Sequence, residues 1–359
     1  MKPRSQPFWY LFPLLSALVF SCELESEGDT DPVIEDPIIE VVDGGLDTLG
    51  NWTWVDFGEV ELAGDEIVFA SPDTVYLINR IFFPFPGFKV SYDGGNTWLP
   101  NASQYNIIRG FNWMHVIDHD NIFLYGRYAP MLSQSNYNAI IYNLNFNDLP
   151  NSTYRNFYYE GWYGYIADVG SRGDDVYALN LSSKITIKGK KDWVEYNLNR
   201  YSRFETLVFA SDSVGFVGSD EGELLMTRDR NNSWESILQD PDDLEFVELF
   251  FYNTELGFAL TNSNVMYRTA DGGENWSKIL LPHNAELQET YYLNKKIVMV
   301  DQSRGFTNYG REVFETKDGG ITWTRTLRVG KTEVEGISYD QVGAIWAVTG
   351  QGLLKMELD

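Results

Sequence analysis

The sequence holds a single cysteine, Cys22, so no disulfide can form within one chain. Histidine is nearly as scarce. His115, His119 and His283 are too few for an evident zinc site. Outside the N-terminus no apolar run approaches the roughly 18 residues that cross a bilayer. Basic residues are outnumbered, 27 Lys and Arg against 52 Asp and Glu, which leaves a net charge of −25. A surface of that sign repels phosphate backbones, and with no basic patch present nucleic acid is excluded as a partner. No Gly-x-Ser-x-Gly, phosphate loop or dinucleotide fingerprint occurs. No cofactor, metal or catalytic residue is therefore expected.

What the chain does have is rings. Its 11 Trp, 22 Tyr and 22 Phe make up 15 % of the residues, a content that suits strands, and the 43 % hydrophobic share is enough for a full core. The N-terminus reads as an address. Lys2 and Arg4 precede an apolar stretch from Phe8 to Phe20, the pattern of a secretory signal peptide over residues 1–21. The stretch ends Leu18-Val19-Phe20-Ser21-Cys22. An apolar residue three before a cysteine, and a small one just before it, resembles the bacterial lipobox. The resemblance implies a diacylated Cys22 as mature N-terminus, and contact with the membrane by lipid anchor only. An ordinary secretory signal is the alternative.

Residues 22–47 carry Glu23, Glu25, Glu27, Asp29, Asp31, Glu35, Asp36, Glu40 and Asp43 with no basic residue. A disordered acidic tether is expected there. An acidic stretch directly after the cysteine resembles the surface-export signals of Bacteroidetes lipoproteins. That resemblance implies an outer-membrane, cell-surface location. A plain spacer and a periplasm-facing anchor are the alternatives.

Beyond the tether the chain repeats. Ser91-Tyr92-Asp93-Gly94-Gly95-Asn96-Thr97-Trp98 recurs as Thr269 to Trp276 and as Thr316 to Trp323, each reading Ser/Thr-x-Asp-Gly-Gly-x-x-Trp. Two degenerate copies keep the spacing. Thr227 to Trp234 retains Asp229 but loses both glycines, and Thr186 to Trp193 loses the Asp. In such a turn the Asp accepts hydrogen bonds from backbone N–H groups, Gly supplies positive φ, and Trp opens the next strand. The tryptophans fall at 98, 193, 234, 276 and 323, so the steps are 95, 41, 42 and 47 residues. A period of about 40–47 residues suits the blades of a propeller. The first step spans two periods, which leaves one unit near 103–150 without its turn. Strand starts repeat as well, at Gly215-Phe216, Gly257-Phe258 and Gly305-Phe306.

These copies resemble the Asp box, or BNR repeat, with Asp93, Trp98, Trp193, Asp229, Trp234, Asp271, Trp276, Asp318 and Trp323 as its structural residues. The resemblance implies an all-β fold over 48–359, a seven-bladed β-propeller with units at about 62–101, 103–150, 160–198, 204–239, 245–282, 288–328, and 333–358 with 48–58. The last unit stops before its turn. Trp52-Thr53-Trp54-Val55-Asp56-Phe57 has the character to supply the missing strand, closing the ring by pairing with the C-terminal strands. Among such propellers the repeats look like those of the photosystem II assembly and stability factors and the sortilin type.

Sialidases share the box but are a poor match. Their Phe/Tyr-Arg-Ile-Pro segment has only Asn79-Arg80-Ile81-Phe82 as a counterpart, and their propeller has six blades. Asp220-Glu221-Gly222-Glu223 reads as a solvated turn rather than a paired-carboxylate site. Asp118-His119-Asp120-Asn121 reads as a hairpin turn rather than, with His115, a metal site.

Two aromatic clusters are candidate ligand contacts: Tyr158, Tyr159, Trp162, Tyr163 and Tyr165, interrupted by glycine, and Phe83 and Phe85, interrupted by proline. The expected activity is non-catalytic binding or assembly, with a protein or glycan as ligand. A polysaccharide-active hydrolase or lyase is the alternative.

Overall fold

Runs of alternating apolar residues, separated by turns rich in Gly, Asp, Asn and Ser, favour half-buried strands joined by hairpins. The computed structural model describes residues 46–48, 50–55, 66–79, 87–98, 113–118, 121–128, 138–144, 153–157, 166–172, 175–180, 184–188, 193–198, 202–283, 295–330 and 332–359, all within one compact unit, Val41–Asp359. Among the described residues there are 28 strands and no helix.

Two short strands come first, β1 (Leu46–Thr48) and β2 (Trp52–Trp54). Sheet 1 is β3 (Glu66–Phe69), β4 (Val75–Asn79) and β5 (Gly87–Ser91). Sheet 2 is β6 (Trp113–Asp118), β7 (Asn121–Tyr128), β8 (Asn138–Leu144) and β9 (Thr153–Phe157). Sheet 3 is β10 (Ile166–Arg172), β11 (Asp175–Asn180), β12 (Lys184–Lys188) and β13 (Trp193–Asn197). Sheet 4 is β14 (Phe204–Phe209), β15 (Gly215–Ser219), β16 (Glu223–Thr227) and β17 (Glu235–Gln239). Sheet 5 is β18 (Phe246–Phe251), β19 (Gly257–Thr261), β20 (Val265–Thr269) and β21 (Ser277–Leu280). Sheet 6 is β22 (Ile297–Met299), β23 (Gly305–Tyr309), β24 (Glu312–Thr316) and β25 (Thr324–Val329). Sheet 7 is β26 (Val334–Tyr339), β27 (Ala344–Thr349) and β28 (Gly352–Glu357).

Each sheet is an antiparallel meander in chain order, and the two early strands are added at the far end of the last two. β1 pairs with β25, Leu46 opposite Val329. β2 pairs with β28, Trp52 opposite Met356 and Trp54 opposite Leu354. Trp52 is buried among Leu327, Ile345 and Leu354, while its Nε1 donates to Thr326 Oγ1 at 3.3 Å. The ring's hydrophobicity and its one polar tip are both satisfied there.

Two boundaries differ from the sequence reading. Leu46 and Asp47, assigned to the tether, already pair in β1. The second unit runs to Phe157, because β9 completes a four-stranded sheet beyond residue 150.

The second strand of a sheet is buried along its whole length in sheets 4, 5 and 6, because a sheet packs on each face of it. Its opening Gly-Phe pair shows how adjacent sheets are fitted together. A Cβ at Gly257 would meet the Phe251 ring at 2.6 Å, and one at Gly215 would meet the Phe209 ring at 2.5 Å, so glycine leaves room for the ring ending the first strand. The following Phe crosses to the next sheet. Phe216 of sheet 4 stacks on Phe251 of sheet 5 at 4.7 Å and meets Trp276 edge-on at 5.9 Å. Phe258 of sheet 5 meets Trp323 of sheet 6 in the same way at 6.3 Å. Each such ring contributes about 1.5–3 kcal/mol by burial.

Candidate functional site

Four copies of the repeated turn lie among the described residues, and they share one hydrogen-bond pattern. In the first, Ser91 Oγ donates to Asp93 Oδ1 (2.7 Å) and accepts from Gly95 N (2.9 Å). Asp93 in turn accepts from Thr97 N (2.8 Å) and from Thr97 Oγ1 (2.5 Å), and Trp98 Nε1 donates to the carbonyl of Gly95 (3.0 Å). Asp271 and Asp318 repeat this, with Trp276 and Trp323 donating to Gly273 and Gly320. Those donors, Thr97 foremost, hold the Asp93 carboxyl down at about 2.

The copy without glycines keeps the shape. Arg230 and Asn231 take φ of 60° and 74°, where the other copies have glycine. Trp234 Nε1 there donates to the Asn231 side-chain oxygen (2.6 Å) instead of a backbone carbonyl. Asn tolerates positive φ better than most residues, and Arg does not. The Ser or Thr hydroxyl and the Asp carboxylate are spent within the turn, so this motif is scaffold.

A second constellation forms where the first strands of the sheets converge. A first strand is an edge, with backbone N–H groups that no further strand pairs. Side chains satisfy several of them across the sheet boundary. Glu66 Oε2 of sheet 1 accepts from Met114 N of sheet 2 (3.0 Å). Asp168 Oδ2 of sheet 3 accepts from Leu207 N of sheet 4 (2.8 Å). Thr206 Oγ1 of sheet 4 accepts from Leu249 N of sheet 5 (3.1 Å) and donates to Asp168 Oδ2 (3.2 Å). A register irregularity precedes Asp168, Thr206 and Glu248 alike, between Ile166 and Asp168, Phe204 and Thr206, and Phe246 and Glu248. Such a bulge re-aims the side chain that follows it.

Lys296 lies at the centre. Its Nζ is 3.1 Å from Glu248 Oε2 and 3.7 Å from Glu66 Oε1, so two carboxylates from different sheets face one ammonium. In sheet 7 the register position corresponding to Glu248 is Gly336, which has no side chain to stand between Lys296 and Glu66. Tyr125 OH donates to Asp168 Oδ1 (3.1 Å), which also accepts from Val169 N (2.8 Å). His115 Nε2 lies 2.9 Å from Ser171 Oγ.

Burial governs the protonation of this cluster. It pushes Glu248 up to about 7, against the pull of Lys296 and with the help of Asp168. Asp168 is raised by burial in spite of the Leu207 N–H and Lys296. Burial also works against the charge on Lys296, but Glu248, Glu66 and Asp168 outweigh it and keep the ammonium above its ordinary value. His115 is pushed down to about 4 by burial and by Lys296, so it is neutral. Glu248, Glu66 and Asp168 each have at least one protein donor.

The sequence-predicted residues are distributed as follows. Asp93, Trp98, Asp229, Trp234, Asp271, Trp276, Asp318 and Trp323 sit in the repeated turns, and Trp193 opens β13. Cys22, Tyr158, Tyr159, Trp162, Tyr163, Tyr165, Phe83 and Phe85 lie outside the described residues. Among the described residues no group of His, Cys, Asp and Glu is arranged to hold a metal. The cluster around Lys296 was not anticipated. Polar residues do stand among apolar ones in these first strands, in Ile166-Ala167-Asp168-Val169, Phe204-Glu205-Thr206-Leu207 and Phe246-Val247-Glu248-Leu249, but a half-solvated strand has the same pattern.

Known proteins give this geometry its setting. Residues 185–358 match the family described as photosynthesis system II assembly factor YCF48. The photosystem II assembly lipoprotein Ycf48 of Synechococcus sp. (strain CC9902) is 23 % identical over 177 residues, 48 % of this chain and 51 % of that protein. The match thus spans about half the length of the relative. A structure of YCF48 bound to D1 peptide aligns with a TM-score of 0.58 at 12 % identity, covering 92 % of this chain and 99 % of its own. A streptogramin B lyase aligns with a TM-score of 0.63 at 12 % identity, covering 88 % and 98 %. At such identities these structures show the fold alone, an all-β, propeller-like one that hosts both an assembly factor and a lyase.

The outer-membrane, cell-surface location inferred from the acidic run after Cys22 is overturned by the sequence matches, which are to photosystem II assembly factors and not to surface proteins. That run alone carried the inference, and a solvated spacer has the same composition. In sequence the C-terminal half resembles the YCF48 assembly factors, and in fold most of the chain does.

Proposed function

We propose that this chain is a non-catalytic, protein-binding assembly module. In this reading the seven sheets are the blades of one Asp-box propeller, and the pairing of β2 with β28 closes the ring. Residues 1–21 are a signal peptide, Cys22 is lipidated, and the acidic segment after it tethers the propeller to a membrane. The relative from Synechococcus is by name an assembly lipoprotein, and YCF48 binds a D1 peptide, which supports a polypeptide as the partner here.

The observation that carries the reading is the state of the Lys296 cluster. A hydrolase needs one free carboxylate and one free acid facing a substrate. Here Glu66 and Glu248 face the same ammonium, and Asp168 is held by Tyr125, Thr206 and two backbone N–H groups. The cluster ties first strands together across sheet boundaries, which is a scaffold's task.

Crosslinking of the full-length protein in its own membranes, followed by mass spectrometry of the crosslinked peptides, tests this. The expected result is a reproducible set of crosslinks from the propeller to one protein partner. Turnover of a polysaccharide that Glu248→Gln abolishes, with no protein crosslinked, would overturn it.

A further inference from the structure

Among the arginines whose side chains are described, most face a carboxylate. Arg172 meets Asp175 and Asp212, Arg203 meets Glu205 and Asp220, Arg228 meets Glu235 and Glu274, and Arg304 meets Glu315. Arg268 is different. Its Nε donates to the carbonyl of Gly319 in the next sheet (2.6 Å), and neither Nη has an ion-pair or hydrogen-bond partner among the described residues. In a chain with nearly twice as many acids as bases, a half-buried guanidinium without a carboxylate calls for an explanation.

The repeat does not require it. In the same register position, opposite the Phe of the Gly-Phe pair, sheet 4 has Met226 and sheet 6 has Glu315. Arg268 is therefore a local addition to the scaffold.

It also lines a recess. Between sheets 5 and 6, on the side of the repeated turns, lies a cavity of about 490 Å³ bordered by Glu255, Leu256, Arg268, Gln302, Ser303 and Asp318. The volume lies within the range of sites that take a small molecule or a few side chains, roughly 300–1,000 Å³. Two of the turns that border it carry an exposed apolar residue, Tyr252 in the turn that ends at Leu256 and Ile321 three residues after Asp318. Asp318 does not neutralise Arg268. Its oxygens are taken by Thr316 Oγ1, Thr322 Oγ1 and the amides of Ile321 and Thr322. Glu255 is exposed to solvent.

We infer that this recess docks a polypeptide segment through a carboxylate held by the free fork of Arg268, with apolar neighbours of that carboxylate against Tyr252 and Ile321. A guanidinium fixed through Nε presents its two Nη groups as a planar fork, the geometry that takes a carboxylate bidentately. The inference rests on the protein-binding reading above and gives it a place and a recognition chemistry. The carboxylate can come from an acidic side chain or from the C-terminus of a polypeptide.

Calorimetry on the full-length protein with four short peptides separates these sources: N-acetyl-Leu-Glu-Leu-amide against its Gln counterpart, and N-acetyl-Leu-Leu-Leu as free acid against its amide. The expected result is that at least one carboxylate peptide binds tenfold or more tightly than its neutral partner. In Arg268→Met that preference disappears. Methionine is the residue sheet 4 uses at this position, and an unchanged melting curve shows that the variant is folded. Ile321→Ser, at a position 57 % exposed, weakens the same peptide several-fold without touching the charge. Equal binding of charged and neutral peptides, no binding of any, or a preference that survives Arg268→Met overturns the inference. If Arg268→Met still crosslinks its partner in membranes, the recess is wrong and the binding-module reading stands. Peptide binding at Arg268 beside a polysaccharide turnover that Glu248→Gln abolishes, with no protein crosslinked, has the opposite meaning: the recess stands and the non-catalytic module reading falls.

Discussion

Gly273 lies against the ring of Phe216 so closely that a Cβ there would be 2.5 Å from the ring's Cε1. The glycine belongs to a turn of sheet 5 and the ring to sheet 4, so a residue that looks like turn chemistry is also an inter-sheet contact. Its φ of 93° adds a second restriction. Gly273→Ala is expected to cost about 2–4 kcal/mol, from overpacking and positive φ together. Gly310→Ala, with φ of 56° and open space around it, should cost only about 1 kcal/mol. Urea denaturation of the two variants checks the difference.

The glycine-free turn predicts the opposite sign. Arg230 holds φ of 60° without the freedom of glycine. Arg230→Gly should stabilise the protein by up to about 1 kcal/mol, after the extra entropy of the unfolded glycine is deducted. Arg230 also lies 3.9 Å from Asp212, and a lowered melting temperature would show that this ion pair outweighs the strain.

Stability should depend on pH through Glu248. Its carboxyl titrates at about 7 in the folded protein against an ordinary 4.5, so between those values the folded state holds a proton that the unfolded chain has released. Proton binding then favours folding at low pH, and the contribution is lost as pH rises through 7. Asp168, also raised, acts in the same direction. Glu248→Gln should gain on the wild type over this window, by on the order of 2 kcal/mol, with no further relative gain above it. Melting curves of both proteins at pH 4, 5.5, 7 and 8 measure it.

Trp52 tests the shared sheet. It is 5 % exposed, packs in the core of sheets 6 and 7, and donates to Thr326. Trp52→Ala should cost about 3–5 kcal/mol, and Trp54→Ala, at 40 % exposure, far less. Equal effects would mean that β2 does not hold this sheet together.

The repeat was legible because its residues act locally. Asp93 and Thr97, or Asp318 and Thr322, are four apart and bond each other, so spacing alone announces the turn. The pairing of Trp52 with the C-terminal strands was legible for another reason: the last unit lacked a strand and the first residues after the tether had the character of one. The Lys296 cluster was not legible. Glu66, Asp168, Glu248 and Lys296 meet only because four sheets bring their first strands together, and nothing within one strand tells a converging polar residue from a solvated one. Arg268 escaped notice because its distinction is a missing partner. The end of the second unit was missed because no Trp marks β9.

The pairing of β2 with β28 also sets an order of events. Thr53 bonds Lys355 across 302 residues of sequence, so an early strand waits until residue 355 has emerged. Sheets 3 to 5 can form while the rest is being made, since each uses only its own consecutive strands. The sheet that β2 shares with β26 to β28 cannot, and Trp52 and Ile345 stay uncovered until it does. A protein cut before β28 would therefore lose more than one strand. Its first strand would be left without a partner, and the lesion would appear at both ends of the molecule.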